Sequence, residues 1–289
     1  MILYTITGVA TRTSSQGERS CGLRSTVPKL LTGVGPRTPQ TEVAQMPSQI
    51  VDMNTHFGVY PRMKADISLE ILERLIEQNG VTRAVTLSLK GVLYDYVEGN
   101  AETLRKCSES RKLVPAATLD PRKCTDAVAD VSALVSRGFK VLRLFPDLQE
   151  WPLRFAPVRS IVHELHRVHI PLMVNALTYG VATELTDLVG EHAFPVILSG
   201  IGYWVLSEVI VLMKDNKNTF VETSYLDSPD AIEVLVREVG ADRILFGSNT
   251  PMTYFRGPYL SVAKADISDH EKEMIFHLNA EKILGEVGE

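Results

Sequence analysis

The sequence predicts an α/β fold, a closed (β/α)8 TIM barrel, over residues 48–289. Three observations carry this. Eight short apolar runs recur from Gln49 to Ser248, and segments of helical period lie between them. That alternation has the length and rhythm of a closed parallel barrel. The first run is not followed by the Gly-rich phosphate turn of a doubly wound open sheet, since the chain there reads Met53-Asn54-Thr55-His56-Phe57-Gly58.

The predicted strands are, in order, Gln49–Met53, Arg83–Ser88, Leu113–Leu119, Phe139–Phe145, Ile170–Asn175, Pro195–Ser199, Thr219–Ser224 and Arg243–Ser248. Each is short, rich in β-branched residues and flanked by Gly, Pro or polar turns, as strands covered on both faces are. Helical spacing i, i+3, i+4, i+7 appears at Val158, Ile161, Val162 and Leu165. It appears again at Ile232, Leu235, Val236 and Val239, after Ser228 as the predicted N-cap and Pro229 as the first helical residue. The last helix opens with a capping box, Ser268-x-x-Glu271, and is predicted to bury Ile275, Leu278 and Ile283.

Residues 1–47 read differently. They are rich in Thr, Ser, Gly, Arg and Pro, and Thr11 to Arg24 has almost nothing to bury. Such a segment cannot offset its own ordering entropy, so it is expected to be a disordered or loosely attached extension. It lacks the basic and apolar regions of a secretory signal. A transit peptide is one alternative reading, and a start at Met46 is another.

The chain has 289 residues, 45% hydrophobic and 22% charged, with net charge −5. A chain this long buries roughly three quarters of its unfolded surface, so it needs no disulfide or structural metal to fold. Its mild acidity points away from nucleic acid and anionic membranes as partners. No apolar run approaches the ~20 residues that span a bilayer. Three cysteines at spacings that match no zinc motif or disulfide framework fit a reducing, cytoplasmic setting. The sequence leaves open both a monomer and a homo-oligomer.

In a (β/α)8 barrel, chemistry sits at the C-terminal ends of the strands. That rule selects Asp52, Asn54, His56, Ser88, Asp120, Arg143, Asn175, Ser199, Gly200, Glu222, Ser224 and Asn249. Several of these segments resemble the amidohydrolase-related family of metal-dependent hydrolases and decarboxylases. Ile50-Val51-Asp52-Met53-Asn54-Thr55-His56 is similar to the family's opening D-x-H-x-H. Gly138-Phe139-Lys140-Val141-Leu142-Arg143-Leu144 resembles its fourth strand. Pro171–Asn175 and Pro195–Gly202 resemble its fifth and sixth, which normally end in His and His-x-Gly. Arg243–Pro251 is similar to its eighth, normally Gly-Ser-Asp-x-Pro, and Asn279–Gly285 to its closing helix. The resemblance runs from about Ser48 to Gly285.

It implies a metal held by the two His of strand one, the His of strands five and six, and the Asp of strand eight. This chain offers Asn54, His56, Asn175, Gly200 and Asn249 there. A catalytic zinc wants about three ionised or imidazole ligands, so no metal and no cofactor is expected. The strand-eight Asp is also the family's usual general base or acid, and here it is Asn249.

The remaining candidates each carry two readings. His56 with Asp52 is a candidate acid/base pair, because period two puts both on one side of the strand. The alternative is a His hydrogen-bonded to Asn175 or Asn249. Arg143 is a candidate clamp for a substrate carboxylate, or else the partner of Glu222 in an ion pair. Asn54, Asn175, Asn249 and Tyr254 are candidate substrate contacts, although the loop of Tyr254 and Arg256 reads equally as solvated. Asp120 precedes Pro121 and reads best as a turn residue. His163, His166 and His169 are spaced by threes, which spreads the rings around a helix and does not form a metal motif.

The expected function is therefore a metal-independent hydrolase or lyase acting on a small carboxylated or lactone-like molecule. The alternative is a non-catalytic barrel, a pseudoenzyme, that binds a small anionic ligand or a partner protein. The discriminator is what lines the barrel mouth.

Overall fold

A computed structural model describes residues 47–191 and 193–285. The expected extension over residues 1–47 lies, apart from Pro47, outside the described residues.

Eight parallel strands stand in sequence order: β1 (Val51–Phe57), β2 (Arg83–Ser88), β3 (Leu113–Thr118), β4 (Val141–Leu144), β5 (Leu172–Asn175), β6 (Val196–Ser199), β7 (Thr219–Glu222) and β8 (Ile244–Leu245). The ring is drawn together by backbone bonds from β1 to the segment after β8. Met53 N donates to Phe246 O at 2.9 Å and His56 N to Thr250 O at 3.0 Å. Helices fill the connections, so this is a (β/α)8 barrel.

The period-two pattern of the strands sorts their side chains into two apolar clusters. One joins Ala84, Leu142, Leu144, Leu172, Val174 and Leu198 to helical residues such as Leu72, Val158, Ile161, Leu165 and Leu235. The other joins Val51, Met53, Val85, Leu87, Val141, Phe145, Met173, Ile197 and Leu245, with Ala280, Ile283 and Leu284 of the last helix. Each fully buried side chain of this size contributes roughly 1.5–3 kcal/mol. This two-sided burial explains why the strands read as short continuous apolar runs.

Some expectations are corrected. β1 starts later than Gln49 and continues to Phe57, with a register shift between Asp52 and Thr55. Such a bulge re-aims side chains and is common at barrel rims. The helix Ala231–Val239 is capped by Asp230, at φ 59, rather than by Ser228, whose carbonyl instead accepts from Ala231 N. The capping box of Ser268 and Glu271 is present, and Val158, Ile161, Val162 and Leu165 are all buried. Leu278 is exposed, however, because a π-helical turn over Met274–Leu278 rotates the helical period there.

Candidate functional site

The bulge in β1 separates the roles of its three polar residues. Asp52 turns toward the segment after β8. Its carboxyl accepts from Asn54 N and Ser248 N, each at 3.0 Å, and bonds the Ser248 hydroxyl. Ser248 Oγ also lies 2.7 Å from Thr250 Oγ1 and accepts from Thr250 N at 3.1 Å. Burial pushes the Asp52 carboxyl up to about 7, against the lowering effect of the Ser248 and Asn54 hydrogen bonds, and the charge of Glu222 adds to the rise. The Ser248 hydroxyl thus stands between the Asp52 carboxyl, to which it donates, and Thr250.

Asn54 faces the barrel interior and links a cation to an anion. Its Oδ1 accepts from Arg143 Nη2 at 3.0 Å. Its Nδ2 lies 3.2 Å from Glu222 Oε1, 3.3 Å from Ser199 Oγ and 3.2 Å from Ser224 Oγ. Glu222 Oε1 also takes the Ser199 hydroxyl at 2.7 Å, the Ser224 hydroxyl at 2.8 Å and Gly200 N at 3.0 Å, while Oε2 takes Ser224 N at 2.8 Å. A carboxylate so fully supplied with donors is stable in a dry interior. The Arg143–Glu222 ion pair is thus not direct; the Asn54 amide stands between the two charges.

Two glycines make room for this network. A Cβ on Gly247 would lie 2.1 Å from Glu222 Oε2. Gly200 sits at φ +73, where a side chain is strained, and a Cβ there would lie 2.7 Å from Leu177 Cδ2.

Arg143 is 1% exposed, and its Cζ lies 5.1 Å from the Phe145 ring centroid. Burial holds its pKa down at about 10, against the opposing pull of Glu222 and Asp52, so it stays charged at neutral pH. Its Nη1 is buried without a hydrogen-bond partner, as is Nδ1 of His56. His56 stands 6.1 Å from Phe145 between ring centroids. Burial first, and the Arg143 charge second, hold its pKa well below the usual value, so the imidazole is neutral. No hydrogen bond joins His56 to Asp52, Asn175 or Asn249 among the described residues. The strict alternation that would pair His56 with Asp52 is broken by the bulge, which sends Asp52 to Ser248.

The outer tier of the mouth uses the other asparagines. Asn175, at the end of β5, is half-buried and stands level with Ser199 of β6 in the sheet register. Asn249, at φ +55, donates Nδ2 to Tyr225 Oη at 3.3 Å. Burial raises the Tyr225 pKa, with Glu222 and Asp147 nearby adding to it. A cavity of about 230 Å³ opens beside this tier, lined by Tyr60, Arg62, Leu93, Tyr94, Asp147 and Glu150 among others. Tyr254 is not brought to the site; it is 92% exposed, as a solvated loop residue is. Asp120 binds its neighbour Arg122 through both oxygens, at 2.8 and 3.0 Å, in the expected turn. Of the spaced histidines, His166 pairs with Val189 O at 2.9 Å and His169 ends its helix at φ 57.

Sequence reasoning missed Tyr60, Asp147 and Tyr225. Asp147 directly follows the predicted fourth strand and Pro146, and Tyr225 directly follows the predicted seventh, so the strand-end rule reaches both if extended by two residues. Tyr60 was hidden because the first predicted strand ended four residues early.

The amidohydrolase family pattern matches residues 54–285. The chain belongs to the amidohydrolase family. No curated protein matches it. Among solved structures, 2,6-dihydroxybenzoate decarboxylase from Rhizobium matches at 15% identity and TM-score 0.66, over 83% of this chain and 99% of that one. An uncharacterised TIM-barrel protein from Bordetella bronchiseptica matches at 15% identity and TM-score 0.69, over 83% and 100%. A dihydroxybenzoic acid decarboxylase from Polaromonas, solved with manganese and the inhibitor 2-nitroresorcinol, matches at 14% identity and TM-score 0.64, over 82% and 97%. At these identities the likeness is one of fold.

The resemblance implies a metal in this amidohydrolase barrel, but the donor set does not fit a divalent cation. Among the described residues no three of His, Cys, Asp or Glu come together as a metal-holding group. Asn54 Oδ1 is committed to a guanidinium, and the amide oxygens of Asn175 and Asn249 are neutral, weak donors to such an ion. Gly200 has no side chain to offer. His56 has a free nitrogen, but its neighbour is the positive charge of Arg143. A second cation there would meet repulsion in a medium that screens poorly.

Proposed function

We propose that this amidohydrolase barrel binds a small carboxylated or lactone-like molecule and acts on it as a hydrolase or lyase without a bound divalent metal. The observation that carries this reading is the pair of unpartnered, buried nitrogens, Arg143 Nη1 and His56 Nδ1, on neighbouring side chains beneath the mouth. Leaving a buried donor unpaired costs about 1–3 kcal/mol, and a hydrogen bond to a charged group is worth about 1.5–3 kcal/mol. An anionic oxygen seated on Arg143 recovers both. The same guanidinium then stabilises negative charge that develops on that oxygen during reaction. The neutral His56 offers a lone pair to a proton from water or from the substrate, although burial and the Arg143 charge weaken it as a base. An activated ester or lactone needs less electrophilic help than an amide, which favours those substrates where no metal polarises the carbonyl. The 2,6-dihydroxybenzoate decarboxylase among the structural neighbours acts on a carboxylated ring, which supports a small anionic ligand and keeps the lyase branch in view.

One observation favours a second reading, a non-catalytic ligand-binding barrel. Asp52 is tied to Ser248 and Glu222 is saturated by its donors, so neither orients His56. The two readings part in one experiment. Small ring carboxylates and lactones are offered to the protein in the presence of a chelator, with binding followed by calorimetry and turnover by product analysis. Turnover lost in His56→Gln supports the enzyme. Binding without turnover supports the second reading. Turnover that appears only with added divalent metal overturns metal independence in both. A reducing, cytoplasmic setting is part of the proposal. It is supported by Cys107 and Cys124, which are buried, unpaired and have thiols pushed up to about 12 by burial.

A further inference from the structure

Arg143 Nη1 and His56 Nδ1 are not the only buried polar atoms on the barrel strands without a hydrogen-bond partner. Thr118 Oγ1, at the end of β3, is another, in a residue 1% exposed. Buried polar groups are nearly always paired, so an unpaired hydroxyl beside an unpaired guanidinium nitrogen calls for an explanation.

Register and burial place Thr118 next to Arg143. Ala116, Ala117 and Thr118 of β3 stand level with Val141, Leu142 and Arg143 of β4. Ala116 and Val141 belong to the interior cluster, while Ala117 and Leu142 belong to the cluster shared with the helices. Period-two alternation then puts Thr118 and Arg143 together on the interior face, their backbones about 4.8 Å apart. The other register neighbour of Arg143 is Met173 of β5, whose sulfur is at best a weak acceptor. Thr118 therefore supplies the hydroxyl beside the guanidinium. Thr86 Oγ1 is also unpartnered, but Thr86 alternates with the interior residues Val85 and Leu87 and so faces the helices.

The rest of Thr118 is fixed. Its N–H donates to Asn100 Oδ1 at 2.9 Å, and its carbonyl accepts from Asn100 Nδ2 at 2.8 Å, which ties the strand end to the helix Tyr96–Ser108. Its methyl lies toward Gly91, where a Cβ would come within 3.0 Å of Thr118 Cγ2. Arg143 is fixed as well, since Nη2 donates to Asn54 Oδ1 at 3.0 Å and leaves Nη1 for a ligand. The two free donors thus sit on adjacent strands, each held by a partner behind it. A carboxylate has two oxygens to offer them. A lactone has a single carbonyl oxygen, which one donor satisfies.

We propose that Thr118 is a further specificity-determining residue of the Arg143–His56 site, its hydroxyl donating to the second oxygen of a bound carboxylate. The inference rests on the reading of that site as an anion seat, and it narrows that reading from carboxylates or lactones to carboxylates.

The test follows acetate and γ-butyrolactone by ligand-observed NMR, on the full chain with a chelator present. Thr118→Val replaces the hydroxyl by a methyl. It is expected to weaken acetate binding about ten-fold, the value of one hydrogen bond to a charged group, and to leave γ-butyrolactone binding within about two-fold. Thr118→Ser keeps the donor and is expected to bind acetate within about three-fold of the parent. Without ligand, Thr118→Val is expected to melt at or above the parent's temperature, because a hydroxyl with no partner gives up no bond when it is removed. A hydroxyl with a purely structural role would instead lower the melting temperature and leave the ratio of acetate to lactone affinity unchanged, and either result overturns the inference. Arg143→Met, measured where circular dichroism shows it folded, separates the two readings. Acetate binding lost in that variant but equal in the parent and Thr118→Val sinks the Thr118 role alone. Acetate binding absent from the parent, or unchanged in Arg143→Met, sinks the anion seat and the Thr118 role with it.

Discussion

Asp52→Asn is expected to stabilise the protein above neutral pH while leaving the barrel intact. The folded-state pKa of Asp52 is raised from 3.8 to about 7. One unit is worth 1.36 kcal/mol, so the shift corresponds to on the order of 4 kcal/mol. Its sign follows from proton counting. Between about pH 4 and pH 7 the folded state holds a proton that the unfolded chain has released. Stability therefore falls as pH rises through that window, and the full penalty is present above 7. His56, whose pKa is depressed, acts with the opposite slope below its unfolded value near 6.5. Subtracting the parent curve from the variant curve cancels that contribution. Asn at this position keeps an oxygen to accept from Asn54 N and Ser248 N, and places an amide donor against Ser248 Oγ. Urea unfolding at pH 5, 6.5 and 8 measures the difference. The variant is expected to match the parent within about 1 kcal/mol at pH 5 and to exceed it by several kcal/mol at pH 8. A variant less stable than the parent at pH 8 would refute the reasoning, since it would mean that Asp52 is an ionised carboxylate serving Ser248 or His56.

Arg143→Met keeps most of the side-chain volume and removes the charge that Asn54 bridges to Glu222; it is expected to lower stability by about 3–5 kcal/mol and, at temperatures where circular dichroism shows the variant folded, to weaken small-carboxylate binding about ten- to a hundred-fold, and unchanged affinity would leave only the structural role toward Asn54 and Glu222. Gly247→Ala places a methyl against Glu222 Oε2 and is expected to cost about 1–3 kcal/mol in denaturant unfolding, the range for overpacking. Elemental analysis of purified protein is expected to find no stoichiometric zinc, manganese or iron; one tightly held metal per chain, lost in His56→Ala, would reverse the assignment of this mouth. A chain begun at Met46 is expected to melt as the full chain does, and a large fall in melting temperature would show that the polar N-terminal residues contribute to stability.

The barrel was legible because its signal is repeated. Eight apolar runs and the helices between them each reflect burial on two sides, so errors of a few residues at Gln49 or Phe139 do not change the fold. The site was legible only in its outline. The strand-end rule found Asn54, His56, Arg143, Asn175, Ser199, Gly200, Glu222 and Ser224, but not which of them pair. The Asp52–His56 pairing assumed unbroken alternation, and one bulge between Asp52 and Thr55 was enough to undo it. The Asn54 bridge between Arg143 and Glu222 joins β1, β4 and β7. Spacing along the chain carries no information about such a contact. Leu278 was misplaced for a related reason, since a single π turn shifts helical phase without leaving a mark in the apolar pattern.

The residues that stand where the resemblance would place metal ligands are each held in surroundings of their own. Consider restoring the expected ligands singly. Asn54→His would cut the link between Arg143 and Glu222 and leave two buried charges without their bridge, a change of the kind that costs about 3–5 kcal/mol when one partner of a buried pair is removed. Gly200→His would have to displace Leu177 and accept a left-handed backbone. Asn249→Asp would place a carboxylate against the Tyr225 phenol at a residue held at φ +55. With Arg143 still in place, each restored ligand would be offered to a cation beside an existing positive charge. Metal affinity is therefore expected to return only when Arg143 is neutralised together with the ligand changes, and a single or double His restoration that binds zinc tightly with Arg143 intact would show that the guanidinium does not control the chemistry of this mouth.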